Sequence, residues 1–312
     1  MAWDVITSGY VSLDRIVKIQ APVRVGLTSL IANADNARVY FGGCSINITW
    51  QLARLGLRTL PIVRVGDDYE SSGFKAFLEQ GGVSTDAVEL VHGDTTSNCY
   101  LIEDPDGQHV ALFYTGAQDR RHFRPMPDRF FQGARLGVLT VGASPDSVEF
   151  FEKCRTWGVQ MVFGMKADFD AFAPGVLAEA LRYSSVIFTN ETERSEIEKR
   201  LGLASMTELL DAGTTRVIVT TRGAEGSTFQ EKRGGAVVTG HVGAAGCRAI
   251  VDTTGSGDAF IAGFLYGLLR GRDTGSCCTL GSVMASFVIE SMGCCTGAPT
   301  EPELLQRLNE EK

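Results

Sequence analysis

Several features that would assign a function class are missing from this sequence. Its 29 Lys and Arg residues against 37 Asp and Glu give a formal charge of −8 without any basic run, which argues against a nucleic-acid partner or an anionic membrane surface. No apolar run approaches the roughly 18 residues that span a bilayer, and the first residues lack a charged segment followed by an apolar one. We therefore expect a cytoplasmic protein.

The sequence also offers little that would bind a structural metal. It contains no C-x-x-C pair, and its four histidines are scattered. Eight cysteines are spread through a largely apolar chain, with adjacent pairs at Cys277–Cys278 and Cys294–Cys295, which indicates reduced and mostly buried thiols rather than a disulfide scaffold. The nucleotide-binding signature G-x-x-x-x-G-K-[ST] is absent as well.

What the sequence does contain is an alternation of short β-branched runs with longer amphipathic ones. This alternation is typical of βαβ units, and it predicts an α/β fold with a mostly parallel sheet. The clearest predicted helix covers residues 146–157. The predicted strands cover residues 4–7, 61–65, 136–141, 159–163, 186–189 and 216–221.

Two early segments interrupt this rhythm. Residues 97–115 contain the turn Asp104-Pro105-Asp106-Gly107 between two apolar runs, which predicts a hairpin. Residues 15–41 have short apolar patches without a helical period. Together the two segments predict a small β-lid beside the main sheet, within a single domain that covers residues 1–312.

The strongest chemical signal is Asp252-Thr253-Thr254-Gly255-Ser256-Gly257-Asp258-Ala259-Phe260, followed by an apolar helix. The glycines let the backbone at a helix N-terminus approach an anion, so the segment predicts a phosphate cradle. A carboxylate beside bound phosphate needs a separate task, and removing the proton of an attacking alcohol is such a task for Asp258. The alternative is a flexible turn with an ordinary first-turn acid.

This segment, with Ala262-Gly263 after it, resembles the C-terminal signature of the ribokinase and adenosine kinase (PfkB-type) family. The resemblance extends over nearly the whole chain. Its other elements are Gly9 and Asp14, an N-terminal signature at residues 41–48, 52–56 and 65–73, an N-x-x-E element at residues 190–193 and a T-x-G-x-x-G element at residues 221–226.

The resemblance implies a ribokinase-like three-layer α/β/α fold with the small β-lid, and ATP and Mg²⁺ as cofactors. It implies a base at Asp258 and stabilisation of the phosphoryl group by Gly255, Ser256 and Gly257. It further implies acceptor binding by Asp14, Gly42, Gly43 and Asn47, nucleotide contacts from Asn190, Thr221, Gly223, Gly226, Gly255 and Gly257, Mg²⁺ near Asn190 and Glu193, a monovalent cation such as K⁺ near Asp252, and adenine beside residues 283–293.

Ordinary structural roles remain open for several of these residues. Asp14 could cap a turn, Asn47 could be a polar residue at a helix start, and Glu193 could belong to a solvated helix face. The sequence also departs from the family at Gly164-Met165-Lys166, where many relatives have a segment resembling F-D-P-N. This departure puts one acidic contact with the substrate in doubt.

The sequence defines the acceptor less well than it defines the reaction. Residues 104–108 and 113–117 look most like bacterial and archaeal nucleoside kinases of the adenosine or inosine-guanosine type, and Tyr114 is a candidate for stacking on a base. A free sugar or sugar phosphate is an alternative acceptor, and a non-catalytic nucleotide-binding sensor is an alternative of another class. An exposed lid edge would favour a homodimer.

Overall fold

The computed structural model describes residues 2–164 and 172–311. The strands are β1 (Val5–Ser8), β2 (Ser12–Lys18), β3 (Tyr40–Gly42), β4 (Thr59–Val65), β5 (Val88–Leu90), β6 (Asn98–Glu103), β7 (His109–Tyr114), β8 (Leu136–Leu139), β9 (Gln160–Gly164), β10 (Ser184–Asn190), β11 (Val217–Thr221), β12 (Ser227–Arg233) and β13 (Ala236–Val242). The helices are α1 (Cys44–Arg54), α2 (Phe74–Gln80), α3 (Ser144–Trp157), α4 (Pro174–Tyr183), α5 (Glu191–Leu201), α6 (Leu209–Ala212), α7 (Ser256–Leu269), α8 (Thr274–Val288) and α9 (Glu301–Glu310).

The main sheet has nine strands in the order β13-β12-β11-β10-β9-β8-β1-β4-β5. The strands from β11 to β5 along this order run parallel, whereas β12 and β13 add an antiparallel edge. Each strand predicted from the sequence is present in the parallel part, so the α/β class and the parallel sheet are confirmed. The antiparallel edge was not predicted.

Helices pack against both faces of this sheet because its strands are apolar on both sides. Side chains alternate along a strand, so Val186 and Phe188 of β10 face one layer while Ile187 faces the other. The first layer contains α1, α7, α8 and α9, and the second contains α3, α4 and α5. This is the three-layer α/β/α arrangement that the sequence implied.

A second sheet of four strands has the order β3-β2-β6-β7. Strands β6 and β7 form the predicted hairpin around residues 104–107. The first predicted lid segment is only partly strand, because between β2 and β3 the structure has turns and the isolated bridge Ile19–Ile31. We call this four-stranded sheet the lid.

A third apolar cluster joins the base of the lid to the main sheet. It combines Val11 and Leu13 with Ile46 of α1 and with Phe74 and Leu78 of α2. This packing fixes the start of β2, and therefore Asp14, relative to α1. Within the described ranges, no helix combines the length and apolar character needed to cross a bilayer.

All eight cysteines are free thiols, and seven of them are buried. The predicted burial of most thiols is therefore confirmed, with Cys247 as the exposed one.

Candidate active site

A cleft of about 730 Å³ opens between the lid and the main sheet. Its floor is formed where β10 and β11 end and where α7 begins, and its roof is formed by β2 and β6 of the lid. The carboxyl ends of parallel strands are where α/β folds place their ligands, because loops and helix N-termini meet there. The sequence-predicted residues Asn190, Glu193, Thr221, Asp252 and 255–258 all line this cleft.

The segment predicted as a phosphate cradle forms the N-terminus of α7. Gly255 precedes the helix in the left-handed region, with φ +78°, and a Cβ there would lie 2.6 Å from the Cβ of Cys294. Glycine is therefore required both by the backbone conformation and by the close contact. Gly257 has open space around the position of a Cβ, so an anion can approach the first-turn amides from the cleft.

Asp258 is the third residue of α7 and is only 3% exposed. The Asn47 side chain on α1 donates a hydrogen bond from Nδ2 to Asp258 Oδ2 at 2.7 Å. Asn47 is equally buried, and 211 positions separate it from Asp258 in the sequence. The tertiary structure thus joins the N-terminal and C-terminal signatures at the side chain predicted to be the base.

Asp14 and Gly42 lie beside the same pair. A Cβ on Gly42 would be 2.9 Å from Asp14 Oδ2 and 3.4 Å from Asn47 Oδ1, so these oxygens flank one small space. Ser12 donates a hydrogen bond to Asp14 Oδ1. Asp14, Gly42 and Asn47 adjoin the cleft through Asp258, an arrangement that can hold a hydroxyl close to a carboxylate.

At position 43, glycine is required by the backbone and by a close contact. It precedes α1 with φ +90°, and a Cβ there would lie 2.3 Å from the backbone oxygen of Tyr10. Any side chain would push α1 away from the segment that leads into β2. Gly43 therefore allows Asn47 to reach Asp258.

Asn190 and Glu193 form a capping box at the start of α5. Asn190 Oδ1 accepts from the Glu193 backbone N–H, and Glu193 Oε2 accepts from the Asn190 backbone N–H, both at 2.8 Å. Each side chain keeps further lone pairs. Because Mg²⁺ usually retains several waters and takes few protein ligands, this pair fits a hydrated ion better than a directly coordinated one.

The remaining nucleotide-side residues lie next to this box. Thr221 ends β11 directly beside Asn190 in the sheet. Gly223 and Gly226 lie in the turn between β11 and β12, next to Thr221 but outside the residues that line the cleft. Of the stretch predicted to flank adenine, Met292 lines the cleft, whereas residues 283–284 are buried in the core.

Asp252 connects two loops at the cleft. Its Oδ1 accepts from the Thr254 backbone N–H and its Oδ2 from the Gly293 backbone N–H, each at 2.9 Å. The carboxylate therefore ties the loop before α7 to the loop after α8. Of the family departure at residues 164–166, Gly164 ends β9, and Met165 and Lys166 lie outside the described residues.

Tyr114 is placed away from this site. It pairs with Asn98 across β6 and β7, so it lies on the lid face opposite to that of Asp14, whose partner in β6 is Cys99. Its hydroxyl donates to Asp94 Oδ1 at 3.0 Å, and the residue does not line the cleft. Phe113, one residue earlier, has the register that faces the site.

Two cysteines near the N-terminus of α7, Cys294 and Cys295, are neighbours of the site that the sequence did not indicate. Cys295 donates a hydrogen bond from its thiol to Asn47 Oδ1 at 3.6 Å, and Gln51 Nε2 donates to the Cys294 backbone oxygen at 3.1 Å. Burial, with the nearby charges of Asp258 and Asp14, raises the pKa of the Cys295 thiol. It therefore stays a protonated donor that orients the Asn47 amide toward Asp258. The sequence feature that could have indicated this neighbourhood was Gln51, which lies one helical turn after Asn47 and therefore on the same face of α1.

The comparison with known families agrees with this geometry. Residues 11–301 match the pfkB family of carbohydrate kinases. The chain belongs to this family. As a pfkB-family kinase it is a phosphotransferase that acts on an alcohol group and uses ATP.

Individual relatives are similar along nearly their full length. A nucleoside kinase of Methanothermobacter thermautotrophicus is 28% identical over 309 residues, which is 97% of this chain and 95% of that protein. The crystal structure of the Methanocaldococcus jannaschii nucleoside kinase superposes with a TM-score of 0.87 at 22% identity, covering 99% of this chain and 100% of that one. A Burkholderia thailandensis nucleoside kinase solved with inosine gives 0.86 at 24% identity, covering 98% of each chain. These structural likenesses establish the ribokinase-like fold.

Proposed function

We propose that this chain transfers the γ-phosphate of ATP to a hydroxymethyl group of a nucleoside, with Asp258 as the general base. The convergence of Asp258, Asn47 and Asp14 at the N-terminus of α7 carries the proposal. The nucleoside is favoured by the likeness to kinases named for that substrate. A sugar or sugar phosphate is the second candidate, because the family as a whole is described by carbohydrate acceptors.

The reaction needs an alcohol oxygen held in line with the γ-phosphorus. In the proposed mechanism, Asp14 and Asn47 position the acceptor hydroxyl and Asp258 takes its proton. The alcohol oxygen then forms a bond to the γ-phosphorus while the bond to the β-phosphate oxygen breaks, and ADP leaves. Such a base typically contributes about 10²- to 10⁴-fold to the rate. Since Asn47 donates to Oδ2, the orientation of the Asp258 carboxylate is set before the substrate binds.

Charge on the transferring group is stabilised by α7. The residues at its N-terminus, Gly255 to Gly257, line the cleft, where backbone N–H donors lie at the positive end of the helix dipole. Preorganised donors of this kind usually give the largest electrostatic contribution in phosphoryl transfer.

A magnesium ion at the phosphates would supply further charge neutralisation. The capping-box side chains of Asn190 and Glu193 would hold it through its waters, for the reason given above. A K⁺ ion near Asp252 is the second ion that we propose, because this carboxylate ties together the two loops that border the cradle. Comparing initial rates in K⁺ and Na⁺ buffers of equal ionic strength tests this ion, and equal rates would exclude it.

The lid is proposed to close over the acceptor and to pair with a second copy of the chain. Its outer face exposes Tyr100, Val110, Leu112 and Tyr114, each between 43% and 55% exposed. Contiguous exposed apolar side chains on a sheet indicate an interaction surface. Light scattering should give the mass of a dimer, and a monomer at assay concentration would refute this part of the proposal. Closure also predicts slow ATP hydrolysis without the acceptor, because water is excluded.

The decisive test measures ADP release from Mg-ATP with a panel of nucleosides, free sugars and sugar phosphates. The Asp258→Asn variant is assayed beside the wild type. We expect turnover with a nucleoside, and a fall of about 10²-fold or more in the variant. Turnover only with sugars would show that the acceptor is a sugar and not a nucleoside. Full activity in Asp258→Asn would show that Asp258 is not the general base. ATP binding without turnover on any acceptor would support the sensor alternative.

A further inference from the structure

The charges that line the cleft are unbalanced. Among its lining residues, Glu103, Glu193, Asp252 and Asp258 carry carboxylates, and within the described ranges Lys18 is the single basic one. A triphosphate adds several more negative charges to this space. Because like charges repel strongly where water is partly excluded, the location of the single cationic side chain is functionally important.

Lys18 projects from the lid toward the cleft. It is the last residue of β2, and the strand alternation places Asp14, Ile16 and Lys18 on the same face. Its register partner in β6 is Glu103, and the Lys18 ammonium lies 3.6 Å from the Glu103 carboxylate. Both side chains line the cleft, so the ion pair sits over the binding space.

The ion pair is weakly held. The two side chains are 42% and 41% exposed, and exposed pairs of this kind contribute little to stability. The ammonium can therefore leave Glu103 for a stronger anion at little cost. A phosphate group bearing two charges is such an anion.

The position of Lys18 along the strand selects the phosphate side of the cleft. Asp14, at the base of the lid, lies with the acceptor residues. Four residues further along an extended strand, Lys18 is about 13 Å away from it. It lines the cleft together with residues 250–257, which include the glycines of the predicted phosphate cradle.

We propose that Lys18 is a catalytic residue whose ammonium moves from Glu103 to the terminal phosphate of ATP and stabilises the charge of the transferring group. The inference rests on the proposed function, because it assigns a role in the same phosphoryl transfer. A purely structural role would be the pairing of β2 with β6 through the Lys18–Glu103 bridge. The two roles differ in what loss of Glu103 does.

The variants Lys18→Met, Lys18→Arg and Glu103→Gln separate these roles. Lys18→Met keeps the alkyl chain and removes the charge, whereas Lys18→Arg keeps the charge. Glu103→Gln removes only the negative charge that pairs with Lys18. The matched control is Lys75→Met, since Lys75 has the same side-chain exposure of 42% and pairs with Glu70 at 2.6 Å outside the cleft. Each variant is purified as the full chain and checked by thermal melting.

The first readout is equilibrium binding of the β,γ-imido analogue of ATP and of ADP, both with Mg²⁺. We expect Lys18→Met to weaken binding of the analogue about tenfold and that of ADP less than threefold, because ADP lacks the terminal phosphate. Lys18→Arg should restore most of the affinity, and Glu103→Gln should leave it unchanged or improve it. Equal losses for both nucleotides, no loss, or a loss in Glu103→Gln equal to that in Lys18→Met would overturn the inference.

The second readout is steady-state ADP release. Lys18→Met should lower kcat by about tenfold or more, while Lys75→Met stays within twofold of the wild type. If the wild type turns over and loses activity in Asp258→Asn while Lys18→Met is fully active, the inference fails and the proposed function stands. If the wild type turns over no acceptor, the proposed function fails, and the binding comparison still decides whether Lys18 contacts the terminal phosphate.

Discussion

Two buried aspartates occupy the same helix position but should respond differently to the same substitution. Asp258 is the third residue of α7 and Asp146 the third residue of α3, and they are 3% and 8% exposed. Asp146 accepts hydrogen bonds from both terminal nitrogens of Arg64, that from Nη2 at 2.7 Å. Asp258 instead accepts from the neutral amide of Asn47. We therefore predict that Asp146→Asn lowers stability and Asp258→Asn lowers activity.

The size of the stability effect follows from the buried ion pair. The Arg64 and Asp146 side chains are 6% and 11% exposed, and removing one partner of such a pair costs roughly 3–5 kcal/mol. For 312 residues, an unfolding entropy of about 2.1 cal/mol/K per residue gives about 0.65 kcal/mol/K. The expected fall in Tm for Asp146→Asn is therefore about 5–8 °C. Asp258→Asn should leave Tm nearly unchanged, because an amide oxygen can still accept from Asn47.

Thermal melts followed by circular dichroism, with ADP-release rates well below either transition, measure both effects on the same samples. We expect Asp146→Asn to keep kcat within about threefold, and Asp258→Asn to lose about 10²-fold or more. An unchanged Tm in Asp146→Asn would show that the Arg64 pair is not stabilising. Equal losses of kcat in the two variants would refute the distinct role of Asp258.

Three further predictions follow from individual contacts. Gly255→Ala should abolish activity and lower Tm in a melt, because the left-handed backbone and the 2.6 Å contact leave no room for a Cβ; a fully active variant would contradict this geometry. At Asp94, burial raises the pKa but hydrogen bonds from His122 and Arg121 outweigh it, so the pKa lies below its usual range. Asp94→Asn should therefore cost stability at neutral pH. Because the pKa is depressed in the folded state, the stabilisation from Asp94 is present above the ordinary carboxyl pKa and is lost as the pH falls toward the folded-state pKa. Urea melts of variant and wild type should converge over that range. A native thiol titration should detect Cys247 alone, rising to eight thiols in denaturant, and several fast native thiols would contradict the burial.

The parallel part of the fold could be read from the sequence because its signals are local. Each β-branched run, such as residues 217–221, is apolar on both faces, which is the pattern of a strand covered by helices on both sides. The edge strands β12 and β13 were missed for the opposite reason. They are partly exposed and interrupted by polar residues, so their pairing depends on β11 being next to them.

In the lid, too, the part with a local sequence signal could be predicted, whereas the part that depends on distant strand pairing could not. Asp104–Gly107 supplied a local turn signal, and its hairpin could be predicted. The first lid segment could not be delimited, because β2 gains its partners from β3 and β6, and the latter lies more than 80 positions later in the sequence. Tyr114 was chosen for its aromatic ring, whereas the register of β6 and β7 places that ring on the outer face. A shift of one residue along a strand reverses the face, and only pairing fixes it.

The sequence by itself determined which chemical groups are present and the local geometry around them: a helix N-terminus with glycines for an anion, a carboxylate in its first turn, and a family signature at each end of the chain. Only the tertiary structure decided how they meet, with Asn47 donating to Asp258 across 211 positions and Cys295 donating to Asn47. The tertiary structure also placed Lys18 over the cleft. Backbone conformation is set by neighbouring residues, whereas contacts between distant residues depend on the packing of the whole sheet and its two helical layers.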